Sequence, residues 1–497
     1  MWWSGVEPPE FPRLEDDLRV DVAVVGAGIA GLTTAYLLAR EGRSVAVVDD
    51  GGVASGMTGA TTAHLVTALD RRYADIERVR GAEESRLAAE SHGKAIDTIE
   101  RLSREEGIEC GFQRVNGYLF APPGGDPPTL EDELAAARRA GVAVELEPRA
   151  PLRGFETGPC VRFPRQARFH PLRYLFGLAG AFVHRGGRIF TKTHAEEIQG
   201  GEDGFVRAGR HRIKCAAVVV ATNSPVNDRL ALHTKQAPYM TYAIGARVPE
   251  GAVPAALFWD TEDPFHYVRT QAMPDGDGEC LIVGGEDHKT GQADDVEERH
   301  GRLEAWARER FPDMQDVAFT WSGQVMETLD GLAYIGRNPG DAENVFVVTG
   351  DSGNGLTHGT IAGLLLTDLI LGRANPWTDL YDPSRKVPAA AGSFLKENVN
   401  VAAQYADWLT PGDAESEVSI PRDTGALVRR GLSKVAVYKG PRGAVYRFSP
   451  VCPHMGCVVQ WNAAESTWDC PCHGSRFDKL GRVTNGPANR DLEPIED

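Results

Sequence analysis

The fold of the first part of the chain is decided by residues 20–49, which read VDVAVVGAGIAGLTTAYLLAREGRSVAVVD. Val20–Val25 is almost wholly apolar, as expected for a strand buried in a parallel sheet. A predicted helix follows from Ile29 to Arg40, and a second predicted strand covers Ser44–Val48. The turn between the first strand and the helix carries the pattern GxGxxG, from Gly26 to Gly31. This order of elements is typical of a dinucleotide-binding βαβ unit.

Each glycine of this turn has its own physical role. Gly26 permits the tight turn, Gly28 lets the backbone approach a pyrophosphate, and Gly31 lets helix and strand pack closely. The N-terminus of the helix then faces the phosphates. Asp49, 18 residues after Gly31, is placed to accept hydrogen bonds from ribose hydroxyls; a glycine-rich turn without a ligand is the alternative. The predicted dinucleotide contacts in this segment are Gly26, Gly28, Ile29, Ala30, Gly31, Asp49 and Asp50.

Length and charge restrict the possible classes of protein. The chain has 497 residues, too many for one hydrophobic core, so we expect two to four domains. Its net charge of −17 disfavours binding to nucleic acid or to an anionic membrane. No apolar run approaches the roughly 18–20 residues that cross a bilayer, and the N-terminus lacks the basic start and apolar core of a signal peptide. We therefore expect a cytoplasmic protein with no nucleic-acid partner and no membrane span.

Eight cysteines are unevenly distributed. Four are scattered, whereas Cys452, Cys457, Cys470 and Cys472 fall within 21 residues. Two of these cysteines form a pattern with two histidines: Cys452-x-His454, then fifteen intervening residues, then Cys470-x-x-His473. Two thiolates suit one iron and two imidazoles the other, which is the Rieske type of [2Fe–2S] site. A Cys2His2 zinc site is the alternative, but zinc fingers place their four ligands differently along the chain.

Four further segments resemble the glycine oxidase / D-amino acid oxidase superfamily of FAD enzymes. They are residues 52–59 (GVASGMTG), 169–175 (FHPLRYL), 218–223 (VVVATN) and 350–359 (GDSGNGLTHG). The resemblance implies FAD, and we expect it to be bound non-covalently because none of the scattered cysteines, nor His64, lies at a recognisable attachment position. A helix N-terminus after the last segment would favour the negative charge of reduced flavin. The FAD contacts that it adds are Ser55, Gly56, Thr58, Ala195, Ala221, Thr222, Gly350, Gly353, Asn354, Gly355, Leu356 and Thr357.

The cysteine-rich segment resembles the Rieske domains of respiratory and photosynthetic proteins. This resemblance implies a disulfide between Cys457 and Cys472, a hydrogen bond from Ser475 to a cluster sulfide, and a third covering loop at residues 486–488. Phe477 stands where several high-potential members have Tyr, so we expect an intermediate potential. A ring-hydroxylating oxygenase is excluded for this chain alone, because it needs an iron site after the Rieske domain and none of the 24 residues after His473 is His.

The substrate residues are less clearly marked. The predicted strand Phe265–Gln271 alternates, so Tyr267 and Arg269 face the same way. Arg269 with Tyr267 could clamp a substrate carboxylate, although pairing of Arg269 with a surface acid is an equal alternative. His358 either touches the flavin ring or only orders its loop. Four other aromatic or acidic residues either line the flavin face or pack in the core: Tyr242, Trp321, Glu327 and Tyr334. His64 is interpreted as a structural loop residue.

These patterns predict an α/β plus all-β architecture. A Rossmann-like FAD-binding domain (about 18–90, 165–225 and 326–372) is interleaved with an antiparallel-sheet substrate domain (about 91–164 and 226–325), so that the oxidoreductase part spans 18–372. Three prolines then mark a linker at 373–412 with a possible helix over Phe394–Leu409, and a small β-rich Rieske domain covers 413–497.

The predicted function is dehydrogenation of a small amine or amino acid at FAD. Electrons would then pass singly through the cluster to a one-electron acceptor protein or a quinone-like acceptor. A second GxGxxG is missing, which argues against NAD(P)H as the electron donor. Two alternatives stay open at this point: a flavin/Rieske reductase that delivers electrons to a partner protein, and a redox sensor without turnover.

Overall fold

The computed structural model describes residues 1–122, 127–227, 232–293, 295–431 and 433–495. The strands up to residue 349 are β1 (Leu18–Val25), β2 (Val45–Val48), β3 (His64–Leu65), β4 (Gln113–Phe120), β5 (Glu145–Glu147), β6 (Cys160–Arg168), β7 (Arg188–Phe190), β8 (Glu197–Gln199), β9 (Phe205–Ala208), β10 (His211–Val220), β11 (Gln236–Val248), β12 (Leu257–Asp260), β13 (Tyr267–Ala272), β14 (Glu279–Lys289), β15 (Val317–Thr328), β16 (Tyr334–Arg337) and β17 (Val345–Thr349). The helices are α1 (Ile29–Arg40), α2 (Tyr73–Arg80), α3 (Ala82–Glu105), α4 (Pro127–Arg139), α5 (Pro171–His184), α6 (Arg299–Arg310), α7 (Gly355–Ile370), α8 (Thr378–Tyr381) and α9 (Ala391–Gln404).

The first sheet is the dinucleotide-binding layer, with strand order β16-β17-β10-β1-β2-β7. Strand β1 pairs in parallel with β2 and with β10, and β10 pairs in parallel with β17. All four residues of β2 are buried: Val45 and Val47 pack in the core that contains α1, and Ala46 and Val48 pack on the other face with residues of β9 and β10. Helices α1 and α7 pack against one another beside this sheet. Helix α1 follows β1 and helix α7 follows β17, which run parallel within the sheet. Both helices therefore point their N-termini toward the carboxyl ends of the strands, where ligands of such sheets bind.

The second sheet is mostly antiparallel, with order β15-β11-β14-β13-β12-β4-β6-β3 and with β5 beside β6. Only the β4–β12 pair is parallel among the pairings of this sheet in the described chain. The long strands β11 and β15 pair from Gln236 opposite Thr328 to Ala246 opposite Val317. This sheet takes β3 and the ends of β6 and β15 from outside the ranges predicted for the substrate domain.

The C-terminal part contains two small antiparallel sheets. One consists of β18 (Thr424–Arg430), β19 (Ser433–Lys439) and β20 (Val445–Phe448). The other consists of β21 (Gln460–Asn462), β22 (Thr467–Asp469), β23 (Arg476–Asp478) and β24 (Val483–Asn485). Their shared core includes Trp468 and Phe477 and continues into the four clustered cysteines. The predicted α/β plus all-β architecture is thus confirmed.

Some helix limits differ from the prediction. Helix α7 begins at Gly355, inside the segment 350–359 and not after it. The helix predicted over Phe394–Leu409 is α9 followed by a 3-10 turn at Tyr405–Leu409. Within the described ranges, no helix is both long and apolar enough to span a bilayer.

Candidate functional site

A cavity of about 390 Å³ lies between the two large sheets. Its walls come from the glycine turn after β1, the loop after β17, the inner face of the second sheet and, unexpectedly, the C-terminal part of the chain. The last group lies around the third predicted cluster loop and consists of Val483, Thr484, Asn485, Gly486, Ala488 and Asn489.

The glycine turn has the shape that a pyrophosphate requires. Gly26 has a φ of +108°, and a Cβ there would lie 2.2 Å from the carbonyl oxygen of Ala221. A Cβ on Gly31 would lie 1.9 Å from the Gly26 carbonyl oxygen, so Gly31 serves the contact between strand and helix. Gly28 lines the cavity, and a side chain there would project toward Thr58. The backbone at this turn therefore forms a cradle that only glycine leaves open.

Asp49 holds the same turn from the end of β2. Its carboxylate accepts hydrogen bonds from the backbone N–H groups of Ala27, at 2.7 Å, and of Gly51, at 2.9 Å. Burial raises its pKa to about 6, against the opposing effect of these hydrogen bonds. The neighbouring Asp50 lies 3.5 Å from Nδ1 of His194, which also lines the cavity.

Most of the predicted FAD contacts meet at this cavity. Those that line it are Gly26, Gly28, Ile29, Ala30, Asp49, Asp50, Ser55, Gly56, Thr58, Ala195, Ala221, Thr222, Gly350, Gly353, Asn354, Gly355 and Leu356. Gly31 and Thr357 do not line it. Gly31 has the packing role described above, and the hydroxyl of Thr357 donates to the carbonyl of Asn354 in the first turn of α7. The cradle and the helix N-terminus beside it fit FAD.

Arg269 does not have the position predicted for a substrate clamp. It is fully buried and does not line the cavity. Its guanidinium donates to the backbone carbonyls of Ala63, at 2.5 Å, and Phe169, at 3.3 Å. Strand alternation identified the correct face of β13, but at this end of the strand that face is covered by the loop around Ala63. Tyr267 does line the cavity, and its hydroxyl lies 2.7 Å from that of Thr241.

His358 is fixed by the protein through both ring nitrogens. Nδ1 donates to the carbonyl oxygen of Asp351 at 2.9 Å, and Nε2 lies 3.2 Å from Nε2 of His92. Burial lowers the pKa of His358 to about 4, so the ring is neutral at physiological pH. These contacts fit the interpretation in which His358 orders the flavin loop.

The other candidates divide between cavity and core. Tyr242, Trp321 and Glu327 line the cavity, whereas Tyr334 packs in the core with Arg385 stacked 4.0 Å from its ring. His64 lines the cavity and lies 3.2 Å from the hydroxyl of Thr62.

Sequence reasoning did not single out several cavity residues. Asp70, Asp287 and Gln324 line the cavity but belong to no motif, and nothing in their local sequence distinguishes them from ordinary loop or strand residues. Asp351 lies in the predicted flavin loop but was not among the expected contacts.

The cysteine-rich loops form a second site. Cys452 and Cys470 are free and buried, and the rings of His454 and His473 are 5.0 Å apart. Nδ1 of His473 is buried and has no hydrogen-bond partner among the described residues, so it is available as a ligand. Hydrogen bonding with Cys470 lowers the pKa of the Cys452 thiol below its ordinary value. Two thiols and two imidazoles converging in this way fit a Rieske [2Fe–2S] cluster.

The remaining two cysteines brace these loops. Cys457 and Cys472 form a disulfide with their Cα atoms 6.4 Å apart. Their sulfurs and that of Cys470 lie within 4.8 Å of one another, but disulfide sulfurs have no thiolate to offer a metal. The hydroxyl of Ser475 accepts a hydrogen bond from the N–H of Ala488 at 2.9 Å, which ties the third loop to the cluster.

Comparison with known proteins agrees with this geometry. Residues 21–369 match the family described as DAO, FAD dependent oxidoreductase, and residues 411–496 match the Rieske [2Fe-2S] domain. YhfW of Bacillus subtilis, described as a Rieske 2Fe-2S iron-sulfur protein, is 30% identical over 100% of this chain and 97% of its own length. Gamma-glutamylputrescine oxidoreductase of Escherichia coli is 26% identical over 78% of this chain and 91% of its own.

The fold is also that of a solved flavoenzyme. Glycine oxidase from Geobacillus kaustophilus superposes with a TM-score of 0.59 at 19% identity, over 74% of this chain and 100% of that one. The predictions of FAD, of a [2Fe–2S] cluster and of an oxidoreductase are confirmed. The chain belongs to the DAO family of FAD-dependent oxidoreductases and carries a C-terminal Rieske [2Fe–2S] domain.

Proposed function

We propose that this chain oxidises a small amine or amino acid and passes the electrons one at a time to an external acceptor. In becoming an imine, the substrate loses two electrons and two protons, so two molecules of a one-electron acceptor are reduced per turnover. When bound, FAD supplies a two-electron acceptor and the Rieske cluster supplies a one-electron carrier. The residues proposed to hold them are the cavity-lining FAD contacts and the four ligands Cys452, His454, Cys470 and His473.

The observation that carries this proposal is a direct bridge between the two cofactor sites. Gln324 lines the FAD cavity, and its Nε2 donates to the carbonyl oxygen of Gly474 at 2.8 Å. Gly474 directly follows the proposed ligand His473. The amide oxygen of Gln324 accepts a hydrogen bond from Asn485, which lines the cavity from the cluster side. One side chain thus contacts both the flavin cavity and the cluster loop.

The contact between the two sites extends along the interface. The ring of His233 lies 4.8 Å from that of His454 and 5.9 Å from that of His473. Asn489 donates to the carbonyl oxygen of Ala195 at 3.0 Å, at the other end of the cavity. The histidine side of the cluster site is therefore turned toward the flavoprotein part, which supports transfer within one chain.

The direction of electron flow is inferred from the family and from the sequence. The relatives are named for the oxidation of amines and amino acids: gamma-glutamylputrescine oxidoreductase and glycine oxidase. The chain has a single GxGxxG, whereas flavoenzymes fed by NAD(P)H commonly carry two. We therefore place the organic substrate before FAD and the cluster after it.

The proposal is tested by mixing the oxidised holoprotein anaerobically with amines, amino acids, N-methylated amino acids and NAD(P)H in separate experiments. Flavin absorbance and the EPR signal of the reduced cluster are followed together. We expect bleaching by one class of amine, with the cluster signal appearing afterwards. Bleaching by NAD(P)H alone would establish a reductase instead, and no bleaching by any donor would favour a redox sensor.

A further inference from the structure

Four carboxylates from separate parts of the chain converge on one wall of the cavity. Asp70 lies in the loop before α2, Asp287 in β14, Glu327 in β15, and Asp351 in the loop before α7. Glu327 interacts electrostatically with the three others, and Asp70 interacts with both Asp287 and Asp351. These four residues are called the acid wall below.

Nearby arginines only partly offset the burial of the acid wall: the charges of Arg71 and Arg299 act to lower the pKa values of Glu327 and Asp287, which burial nevertheless raises. Arg72 is the one arginine among the described cavity-lining residues, which include no lysine, and its charge interacts first with Glu133 and Asp260. The carboxylate of Asp351 accepts one backbone hydrogen bond, from Met326 at 3.1 Å.

One oxygen of the acid wall is left without a partner. The hydroxyl of Thr241 hydrogen-bonds the carboxylate of Asp287, but Oδ1 of that carboxylate is buried and has no hydrogen-bond partner of its own within the described part of the chain. A buried carboxylate oxygen of this kind costs stability unless a ligand satisfies it. Because Asp287 lines the cavity, the missing partner is expected to come from a molecule bound there.

Aromatic rings complete the surroundings of the acid wall. Tyr267 interacts electrostatically with Asp287 and Asp70 and lies 5.7 Å from the ring of Phe265. Trp259 and Trp321 line the same cavity. Faces of aromatic rings together with carboxylates are the usual surroundings of a bound ammonium group, because both attract a cation.

We propose that the substrate is a diamine or polyamine, which presents one amine for oxidation while a second, charged ammonium group is held by Asp70, Asp287 and Glu327. This inference rests on the proposed function. A substrate carboxylate would bring a further negative charge against the four carboxylates of the acid wall, which would repel it. Arg269, the residue expected to clamp such a carboxylate, is engaged elsewhere.

The protonation of the acid wall supports the same conclusion. Burial, followed by repulsion between the carboxylates, raises the pKa of Asp70 to about 7 and that of Glu327 to about 8. Burial raises the pKa of Asp287 and of Asp351 to about 6. A bound ammonium favours the ionised carboxylates and lowers these values, so binding releases protons between pH 6 and 8 and strengthens as the pH rises. The charged and titratable groups that face the acid wall are Arg71, Arg72, Tyr239, His266, Tyr267, Glu286 and Arg299.

The test measures binding without turnover. The holoprotein is reduced with dithionite under argon and titrated in a calorimeter with 1,4-diaminobutane, 1-aminobutane and 4-aminobutanoate. We expect the diamine to bind about tenfold or more tightly than the monoamine, because its second ammonium meets the carboxylates of the acid wall, and the amino acid to bind weakest. Titration at pH 7 in two buffers of different ionisation enthalpy should show proton release with the diamine.

Two variants test whether the acid wall causes the preference for the diamine. Glu327→Gln and, separately, Asp287→Asn should reduce the preference for the diamine over the monoamine about tenfold, while the exposed Glu202→Gln should leave it unchanged. The comparison of three ligands on the unaltered protein does not depend on the folding of any variant.

The outcomes separate this inference from the proposed function. Equal affinity for diamine and monoamine, or a preference for 4-aminobutanoate, would overturn the substrate class. If an amino acid bleaches the oxidised flavin while the diamine neither binds nor bleaches it, the substrate class fails and the proposed function stands. If the diamine binds with the expected preference but no donor bleaches the flavin, the binding site stands and the proposed function fails.

Discussion

Replacement of Arg385 by Leu tests how the start of the linker is held to the flavoprotein part. Arg385 and Asp330 form a buried ion pair, with side-chain exposures of 4% and 0%. Two hydrogen bonds of 2.8 Å join the guanidinium to the two carboxylate oxygens of Asp330, and a third reaches the carbonyl oxygen of Ala333. After Arg385→Leu, the Asp330 carboxylate stays buried but loses the charge and the two hydrogen bonds of the guanidinium.

The expected loss follows from these contacts. Two charge-assisted hydrogen bonds contribute about 1.5–3 kcal/mol each, and breaking one side of a buried pair costs about 3–5 kcal/mol overall. We expect Arg385→Leu to lower the free energy of unfolding by about 3–5 kcal/mol. The double variant Asp330→Leu/Arg385→Leu should cost less than either single one, since no buried charge is left unpaired.

The pH dependence has a definite sign. Burial alone would raise the pKa of Asp330, but the charge and hydrogen bonds of Arg385 outweigh it and lower this pKa below its ordinary value. The contribution of the pair is therefore fully present above pH about 4 and is lost as the pH falls through the lowered pKa. The penalty of Arg385→Leu should be constant between pH 6 and 8.

The assay is urea-induced unfolding of the holoprotein, followed by circular dichroism. The control is Glu83→Gln, which breaks an exposed pair with Arg86, where the two side chains are 70% and 45% exposed, and should cost no more than about 0.5 kcal/mol. A loss below about 1 kcal/mol for Arg385→Leu, or a double variant as costly as the two single ones added, would show that this buried pair does not hold the linker in the expected way.

Three further substitutions test the cofactor sites. Gly28→Val should abolish FAD retention, because the added side chain fills the cradle. Retention is measured as flavin absorbance after gel filtration, and retention equal to that of the helix-surface control Gly301→Ala would contradict this. Gln324→Leu removes two interdomain hydrogen bonds worth about 0.5–1.5 kcal/mol each, so cluster reduction in stopped-flow experiments should slow by about 5- to 100-fold while flavin reduction is unchanged; equal cluster rates would exclude the bridge. Cys457→Ser removes the disulfide to Cys472, which closes a loop with a separation of 15 residues. It should lower the free energy of unfolding by about 2–4 kcal/mol, measured by thermal unfolding, and an unaltered melting temperature would rule this out.

The features that the sequence predicts well are those encoded within short segments. The glycine turn from Gly26 to Gly31 carries its own backbone requirements, and the spacing of Cys452, His454, Cys470 and His473 is set by the two loops that hold one cluster. Residues 350–359 identified the flavin loop for the same reason. In each case the chemistry needs particular residue types at fixed local spacing, so the pattern is visible without knowledge of the fold.

The features that the sequence does not predict depend on contacts between distant segments. Asp70 and Asp287 meet only because β14 and the loop before α2 face the same cavity, and neither has a distinctive neighbourhood in the chain. The prediction for Arg269 was wrong because alternation shows which face of a strand a residue occupies but not what covers that face. The approach of Gly474 to Gln324 depends on how two separately folded parts dock, which no local pattern encodes.

The relay from substrate to acceptor is tested most directly by Cys452→Ser, which removes one proposed cluster ligand. Flavin reduction by the amine donor and turnover with a one-electron acceptor are measured in the same preparation, with the buried Cys215→Ser as the matched control. We expect Cys452→Ser to reduce its flavin at the rate of the unaltered protein but no longer to turn over the acceptor. Acceptor turnover at the unaltered rate in a protein that lacks its cluster would contradict it.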